Sequence, residues 1–210
     1  MDSYQITFET WNKVASVYQD KYMDLDLYND TYDRFCELIE KQNPGIFEIG
    51  CGPGNITKYL LKKRPDFQIQ AIDIPPNMVE LAKNNNPTAQ FSVMDCRMID
   101  TIIVKFDAIV CGFCIPYLSK NYTTKLFKDC ARLLNIGGVM YFSALKGDHH
   151  NSGYESASTG DKAYVYYYDE AWLQQQLSQN NFALLDIQHK QSPKANQGSS
   201  IDMIFIARKI

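Results

Sequence analysis

Ile46-Phe47-Glu48-Ile49-Gly50-Cys51-Gly52-Pro53-Gly54-Asn55 is the stretch on which the reading of this chain turns. Ile46 to Ile49 form a short apolar run, the pattern of a buried strand, with an acid two places before the first glycine. Gly50, Gly52 and Gly54 then let the chain turn tightly and let a ligand approach without a Cβ in the way. Ile56-Thr57-Lys58-Tyr59-Leu60-Leu61 opens a helix directly afterwards. Strand, glycine turn and helix N-terminus together make a nucleotide-type pocket, in which the backbone is what the segment offers.

Outward from this stretch, strands and helices alternate. Phe67 to Ile72 reads as a second strand ending in Asp73, which lies 23 residues beyond Gly50, about where an acidic residue meets a ribose. A carboxylate there accepts hydrogen bonds from both vicinal hydroxyls. As a helix cap the same residue is poorly placed, because Pro75 and Pro76 intervene before Met78. Ala89 to Met94 reads as a third strand closing in Asp95-Cys96, with Asp95 an acceptor for an adenine amino group. Phe106 to Cys111 reads as a fourth strand beside the glycine turn, and Val139 to Ala144 as a fifth. Lys146 to Gly160, rich in Gly, Ser, His and Asp, reads as a long loop, functional or mobile. A helix from Asp169 then leads to two strands, Phe182 to Gln188 and Ile201 to Ala207, which form an antiparallel hairpin around the polar stretch Lys190 to Ser200. Before the glycine turn, apolar spacing predicts two helices over Ile6 to Tyr22 and Leu25 to Ile39.

The chain reads as one α/β domain over residues 1–210, with residues 1–43 as helices that cover the site. A net charge of −3 gives no footprint for nucleic acid or an anionic membrane, which leaves a small molecule as the favoured partner. No apolar run reaches the roughly 18 residues a spanning helix needs, and Met1 to Gln5 lack signal-peptide character, so a cytoplasmic location is expected. The six cysteines show no framework spacing and read as reduced thiols, and no metal is expected. Nothing in the sequence sets an oligomeric state.

The spacing G-x-G-x-G after an acid resembles the first motif of the class I S-adenosylmethionine-dependent methyltransferases, and the element order resembles that family along nearly the whole chain. The dinucleotide fingerprint G-x-G-x-x-G would need glycine at position 55, where Asn55 stands. Trp11 to Tyr18 resembles a Y-D-x-x-A-x-x-Y segment of many small-molecule members, with Trp and Asn replacing the first Tyr and the Asp. The resemblance implies a doubly wound, Rossmann-like, mostly parallel seven-stranded sheet of order 3-2-1-4-5-7-6, its seventh strand antiparallel. It also implies S-adenosyl-L-methionine as cofactor and methyl transfer to a small-molecule acceptor. Mapped onto this chain, the cofactor contacts it implies are Tyr18, Gly50, Cys51, Gly52, Asn55, Asp73, Ile74, Met78, Asp95, Cys96, Cys111 and Gly112. Two other readings stand beside it: an NAD-dependent oxidoreductase on a similar sheet, and a cofactor-binding regulator or assembly partner without catalysis.

Methyl transfer from a sulfonium is an in-line displacement on an already activated electrophile, so alignment and exclusion of water matter most. A base is needed only for an acceptor that is protonated at working pH. His149 and His150, in the loop after the fifth strand, are the candidates, against the simpler reading of solvated loop residues. For the acceptor, Tyr22, Tyr117, Tyr166 and Tyr168 are expected around a lidded pocket with phenol hydroxyls as polar points.

Overall fold

The computed structural model describes residues 3–156, 160–193 and 199–210. Three helices come first: α1 (Ser3–Lys13), α2 (Ala15–Tyr22) and α3 (Asn29–Glu37). They are followed by β1 (Gly45–Ile49), α4 (Asn55–Lys63), β2 (Gln68–Asp73), α5 (Pro76–Asn85), β3 (Gln90–Val93), β4 (Phe106–Cys111), α6 (Lys120–Leu133) and β5 (Leu134–Lys146). The chain finishes with β6 (Gly153–Ser156), β7 (Lys162–Val165), β8 (Tyr167–Tyr168), α7 (Glu170–Gln179), β9 (Phe182–Pro193) and β10 (Ser199–Lys209).

The main sheet runs β3-β2-β1-β4-β5-β10-β9, with β8 pairing on β5. The first five strands are mutually parallel, and β10 is antiparallel to both β5 and β9. With β9 and β10 counted as the sixth and seventh strands, this is the order the motif resemblance implies.

The central strands are buried on both faces, and side chains alternate between them. In β4, Ala108 and Val110 join the α3–α4–α5 side of the core, whereas Ile109 and Cys111 join the α6–α7 side. In β5, Val139 and Tyr141 take the first side, and Met140, Phe142 and Ala144 the second. This is why those strands read as unbroken apolar runs.

Three differences from the sequence reading have physical causes. The first predicted helix is two, because the chain bends at Val14 (φ −93°, ψ 12°) between α1 and α2. The stretch Lys146–Gly160 is not a bare loop. His149–Asn151 form a 3₁₀ turn, and β6 pairs antiparallel with β7, with Tyr154 opposite Tyr164 and their rings 5.1 Å apart edge to face. A two-stranded ribbon is marginal alone, and this one is held by α1, which lies more than 140 residues away in sequence and is invisible to local pattern. Thr10 Oγ1 donates to Lys162 O at 2.7 Å, Tyr164 N donates to Thr7 Oγ1 at 2.9 Å, and Lys13 pairs with Asp161 at 2.7 Å. The terminal hairpin is also longer than its apolar cores, reaching Pro193 and restarting at Ser199. Residues 157–159 of the expected loop and 194–198 of the expected polar stretch lie outside the described residues.

Candidate functional site

The glycine turn after β1 folds onto itself. Gly50 N and Cys51 N both donate to Ile72 O (2.8 and 3.1 Å), Gly52 N donates to Asp73 Oδ2 (2.6 Å), and Gly54 N donates to Cys51 O (2.9 Å). The expectation that this turn offers its backbone to a ligand is corrected for these four groups, which are committed within the protein. The glycines are required for shape. Gly50 sits at φ +73°, where a Cβ would stand 2.9 Å from that of Cys114; Gly54 sits at φ +85°, where a Cβ would meet Asn86 Nδ2 at 2.4 Å. The turn is thus packed between the segments after β4 and α5, and it leaves a smooth floor rather than a ring of donors.

Asp73 closes that floor. Its two oxygens accept from Gly52 N and Ile74 N (2.6 and 2.7 Å), which points the carboxylate along the edge of the cleft. Burial pushes its pKa up to about 6, against the partial relief of these two donors. Behind the floor, Glu48 is buried, accepts from the Thr57 hydroxyl and keeps its other oxygen unpartnered; burial lifts it to about 8. Asp95 caps the 3₁₀ turn Cys96–Thr101 and is bound through both oxygens by Arg97 (Nε 2.8 Å, Nη2 2.6 Å to Oδ2; Nε 3.0 Å to Oδ1), so much of its accepting capacity is already used. The Arg97 guanidinium lies 4.6 Å from the Tyr4 ring centre, and it is the only Lys, Arg or His among the described residues of the cleft wall.

These groups enclose a cavity of about 310 Å³ at the carboxyl ends of β1, β2, β3 and β4. Tyr18, Gly50, Cys51, Gly52, Asn55, Asp73, Ile74, Met78, Asp95, Cys96, Gly112 and Tyr117 all line it. Tyr18 roofs the glycine turn, with a ring carbon 3.8 Å from where a Gly52 Cβ would be. Cys111 does not join them: it is fully buried on the α6 side of the sheet, since the period of two turns it away from the cleft.

The acceptor candidates divide. Tyr168 is fully buried, its hydroxyl donating to Leu118 O and lying 2.8 Å from Thr123 Oγ1, so it is a core residue rather than a pocket wall. Tyr166 packs against Tyr164 and His149, and Tyr22 against Tyr18; neither lines the cavity. His149 and His150 are also outside it. His149 Nδ1 lies 2.9 Å from Tyr167 O, and His150 N donates to the capping Asp148.

The helices before Gly45 were expected to cover the site, and α1 supplies part of its wall, but through residues that were not among the candidates. Tyr4, Phe8 and Trp11 recur at i, i+4 and i+7, place one aromatic face over the cleft, and are joined by Gln5 and Thr7. The spacing was visible, but which element it faces was not. Phe113 is the other omission. It lies on the cleft at φ +58°, unusual for a residue with a side chain, and is held there by its N–H to Ser143 Oγ (2.7 Å).

Residues 46–138, from β1 into the first part of β5, match a family model described as a methyltransferase domain. That match spans somewhat under half of the chain, which over this stretch is similar to a methyltransferase domain. Over 116 residues it is 32% identical to a malonyl-acyl-carrier-protein O-methyltransferase of Acetivibrio thermocellus, the alignment covering 51% of this chain and 38% of that protein. The chain thus spans well under half the length of this curated relative. Among solved structures, the magnesium protoporphyrin IX methyltransferase of Synechocystis superposes with TM-score 0.74 at 16% identity, over the whole of both chains. The 1,6-didemethyltoxoflavin-N1-methyltransferase of Burkholderia thailandensis superposes with TM-score 0.72 at 18% identity, covering 98% of this chain and 88% of that one. At these identities the superpositions establish the fold.

The cleft fits S-adenosyl-L-methionine, the cofactor that the glycine motif implies. Asp73 offers an ionisable acceptor for vicinal hydroxyls, Ile74, Pro75, Met78 and Met94 give apolar walls for a purine, and the Cβ-free floor admits a chain running toward Gly112. No cluster of three or more metal-ligating side chains occurs among the described residues.

Proposed function

We propose that this protein is a cytoplasmic methyltransferase that binds S-adenosyl-L-methionine in this cleft and moves its methyl group to a small-molecule acceptor. The observation that carries the reading is the convergence of Asp73, the packed glycine turn and the α1 roof on one enclosed, mainly apolar cavity at the carboxyl ends of the parallel strands. When bound, the cofactor supplies a methyl group on a positively charged sulfonium, which needs no further activation. The chain's own part is positional. Asp73 holds the ribose, Asp95 and the apolar wall hold the purine, and Phe8, Trp11, Phe113, Tyr117 and Leu118 keep water from the reacting end. With both loop histidines outside the cavity, the chain presents no imidazole to the acceptor from its described residues; this favours a nucleophile that already carries a free lone pair near neutral pH.

Calorimetric titration with S-adenosylhomocysteine and with NAD tests the cofactor half, and binding of NAD alone would overturn it. Transfer of labelled methyl from the cofactor to a small-metabolite extract tests the catalytic half. Tight S-adenosylhomocysteine binding with no transfer to any fraction would point instead to a non-catalytic binding protein.

A further inference from the structure

S-Adenosylmethionine brings an α-carboxylate into the cleft as well as a ribose and a sulfonium, and the role of Trp11 derived from that carboxylate rests on the reading that this cofactor binds there. A carboxylate taken into a mainly apolar cavity requires donors. The N–H groups of Gly50, Cys51, Gly52 and Gly54 are all bonded within the protein, and Arg97 is held by Asp95. Beside the hydroxyls of Tyr18 and Tyr117 and the amide of Asn55, which also line the cavity, just one fully buried side-chain donor among the described residues has no hydrogen-bond partner, the indole Nε1 of Trp11, and the Trp11 ring lines this cavity.

Its place along the cleft is set by the helix. Tyr4 marks the Arg97–Asp95 end, and Trp11 stands seven residues further on, about 10 Å along the axis at 1.5 Å per residue. There it packs edge to face against Tyr18, which roofs Gly52, and against Tyr117 in the turn after β4, with ring centres 5.5 and 5.3 Å apart. A purine at the Asp95 end and a ribose at Asp73 send the amino-acid tail toward this second end. A buried N–H without an acceptor is destabilising, and a ligand oxygen relieves it.

We infer that the Trp11 indole N–H donates a hydrogen bond to the carboxylate of the cofactor's amino-acid tail, in a cleft whose described residues include no free cation for that role. The test is calorimetry on the full chain, parent and Trp11→Phe, with S-adenosylhomocysteine and with 5′-methylthioadenosine, which lacks the amino-acid tail. Phenylalanine keeps the aromatic packing and removes the donor. The expected result is that Trp11→Phe binds methylthioadenosine as the parent does, which also shows it to be folded, and binds S-adenosylhomocysteine about tenfold to a hundredfold more weakly. Equal weakening of both ligands, or of neither, overturns the inference; an N–H aimed at the methyl acceptor instead would leave both unchanged. On the parent alone, S-adenosylhomocysteine lacking only its carboxylate is expected to lose a similar factor, and equal binding of the two would overturn the inference without any variant. A parent that binds neither nucleoside removes the cofactor reading, and this inference with it; a parent that binds both, with an unchanged ratio in Trp11→Phe, removes this inference alone.

Discussion

Cofactor affinity is expected to fall as the medium is acidified through pH 6, and Asp73 is the reason. Burial lifts its carboxyl to about 6 from the usual 3.8, because the donors from Gly52 and Ile74 only partly replace water. In the proposed complex the ribose hydroxyls donate to the ionised form, so ligand binding would compete with protonation. Affinity is therefore flat above the free-state pKa and declines below it, by at most tenfold per pH unit. With a pKa near 6, about ten-elevenths of the sites are ionised at pH 7 and about one-eleventh at pH 5, a tenfold loss or about 1.4 kcal/mol. In the free protein the same group acts with the opposite sign. Its folded pKa exceeds the unfolded one, so its stabilising share is full below about pH 3.8 and is lost as pH rises through about 6. Acidification across that window thus weakens the complex while favouring the free fold. Isothermal titration with S-adenosylhomocysteine between about pH 7.5 and 5 at constant ionic strength measures the first effect. Asp73→Asn, which cannot titrate, is expected to bind about 1.5–3 kcal/mol more weakly at neutral pH and to show a flat profile. A flat parent profile, or parallel slopes in parent and variant, would refute the reasoning.

Glu48→Gln should become progressively more stable than the parent between about pH 5 and 9, by up to a few kcal/mol. Burial raises the folded pKa of Glu48 to about 8, so the stability of its neutral form is lost as pH rises through that value, whereas glutamine stays neutral. Denaturant unfolding at both ends of the range checks this, and a pH-independent difference would count against it. Tyr168→Phe should cost about 1–2 kcal/mol of stability, by removing a buried hydroxyl that bonds Leu118 O and Thr123, and should leave cofactor affinity unchanged. Loss of acceptor turnover at unchanged stability would instead return Tyr168 to the substrate site. Because α1 is bonded to β7 and the residue before it through Thr7, Thr10 and Lys13, S-adenosylhomocysteine should raise hydrogen-exchange protection in α1–α2 (residues 3–22) and in β6 and β7 together. Protection confined to one of the two segments would show that they do not close as a unit.

The sequence by itself determined the sheet and the floor of the cleft. Strands buried on both faces must be apolar throughout, as Phe106–Cys111 nearly are, and a chain that turns at φ +73° and +85° against neighbours closer than 3 Å must use glycine, so Gly50 and Gly54 announced themselves. Asp73 was legible as a cleft residue because an acid at the end of an inner strand has few structural reasons to be there, whereas Asp95 has one, the cap of the turn Cys96–Thr101 and its pairing with Arg97. Only the tertiary structure decided what lies above that floor. Tyr4, Phe8 and Trp11 share a face by helical spacing, but spacing fixes which residues share a face and not what they face; that came from the docking of α1 on the β6–β7 pair. Tyr168 and Tyr117 look alike in sequence, yet one has its hydroxyl satisfied inside the core and the other lines the cavity, since β8 pairs with β5 and turns Tyr168 inward. The commitment of the turn's N–H groups to Ile72, Asp73 and Cys51, and with it the unpartnered state of Trp11, likewise depends on how β1, β2 and α1 meet in space, which no local pattern encodes.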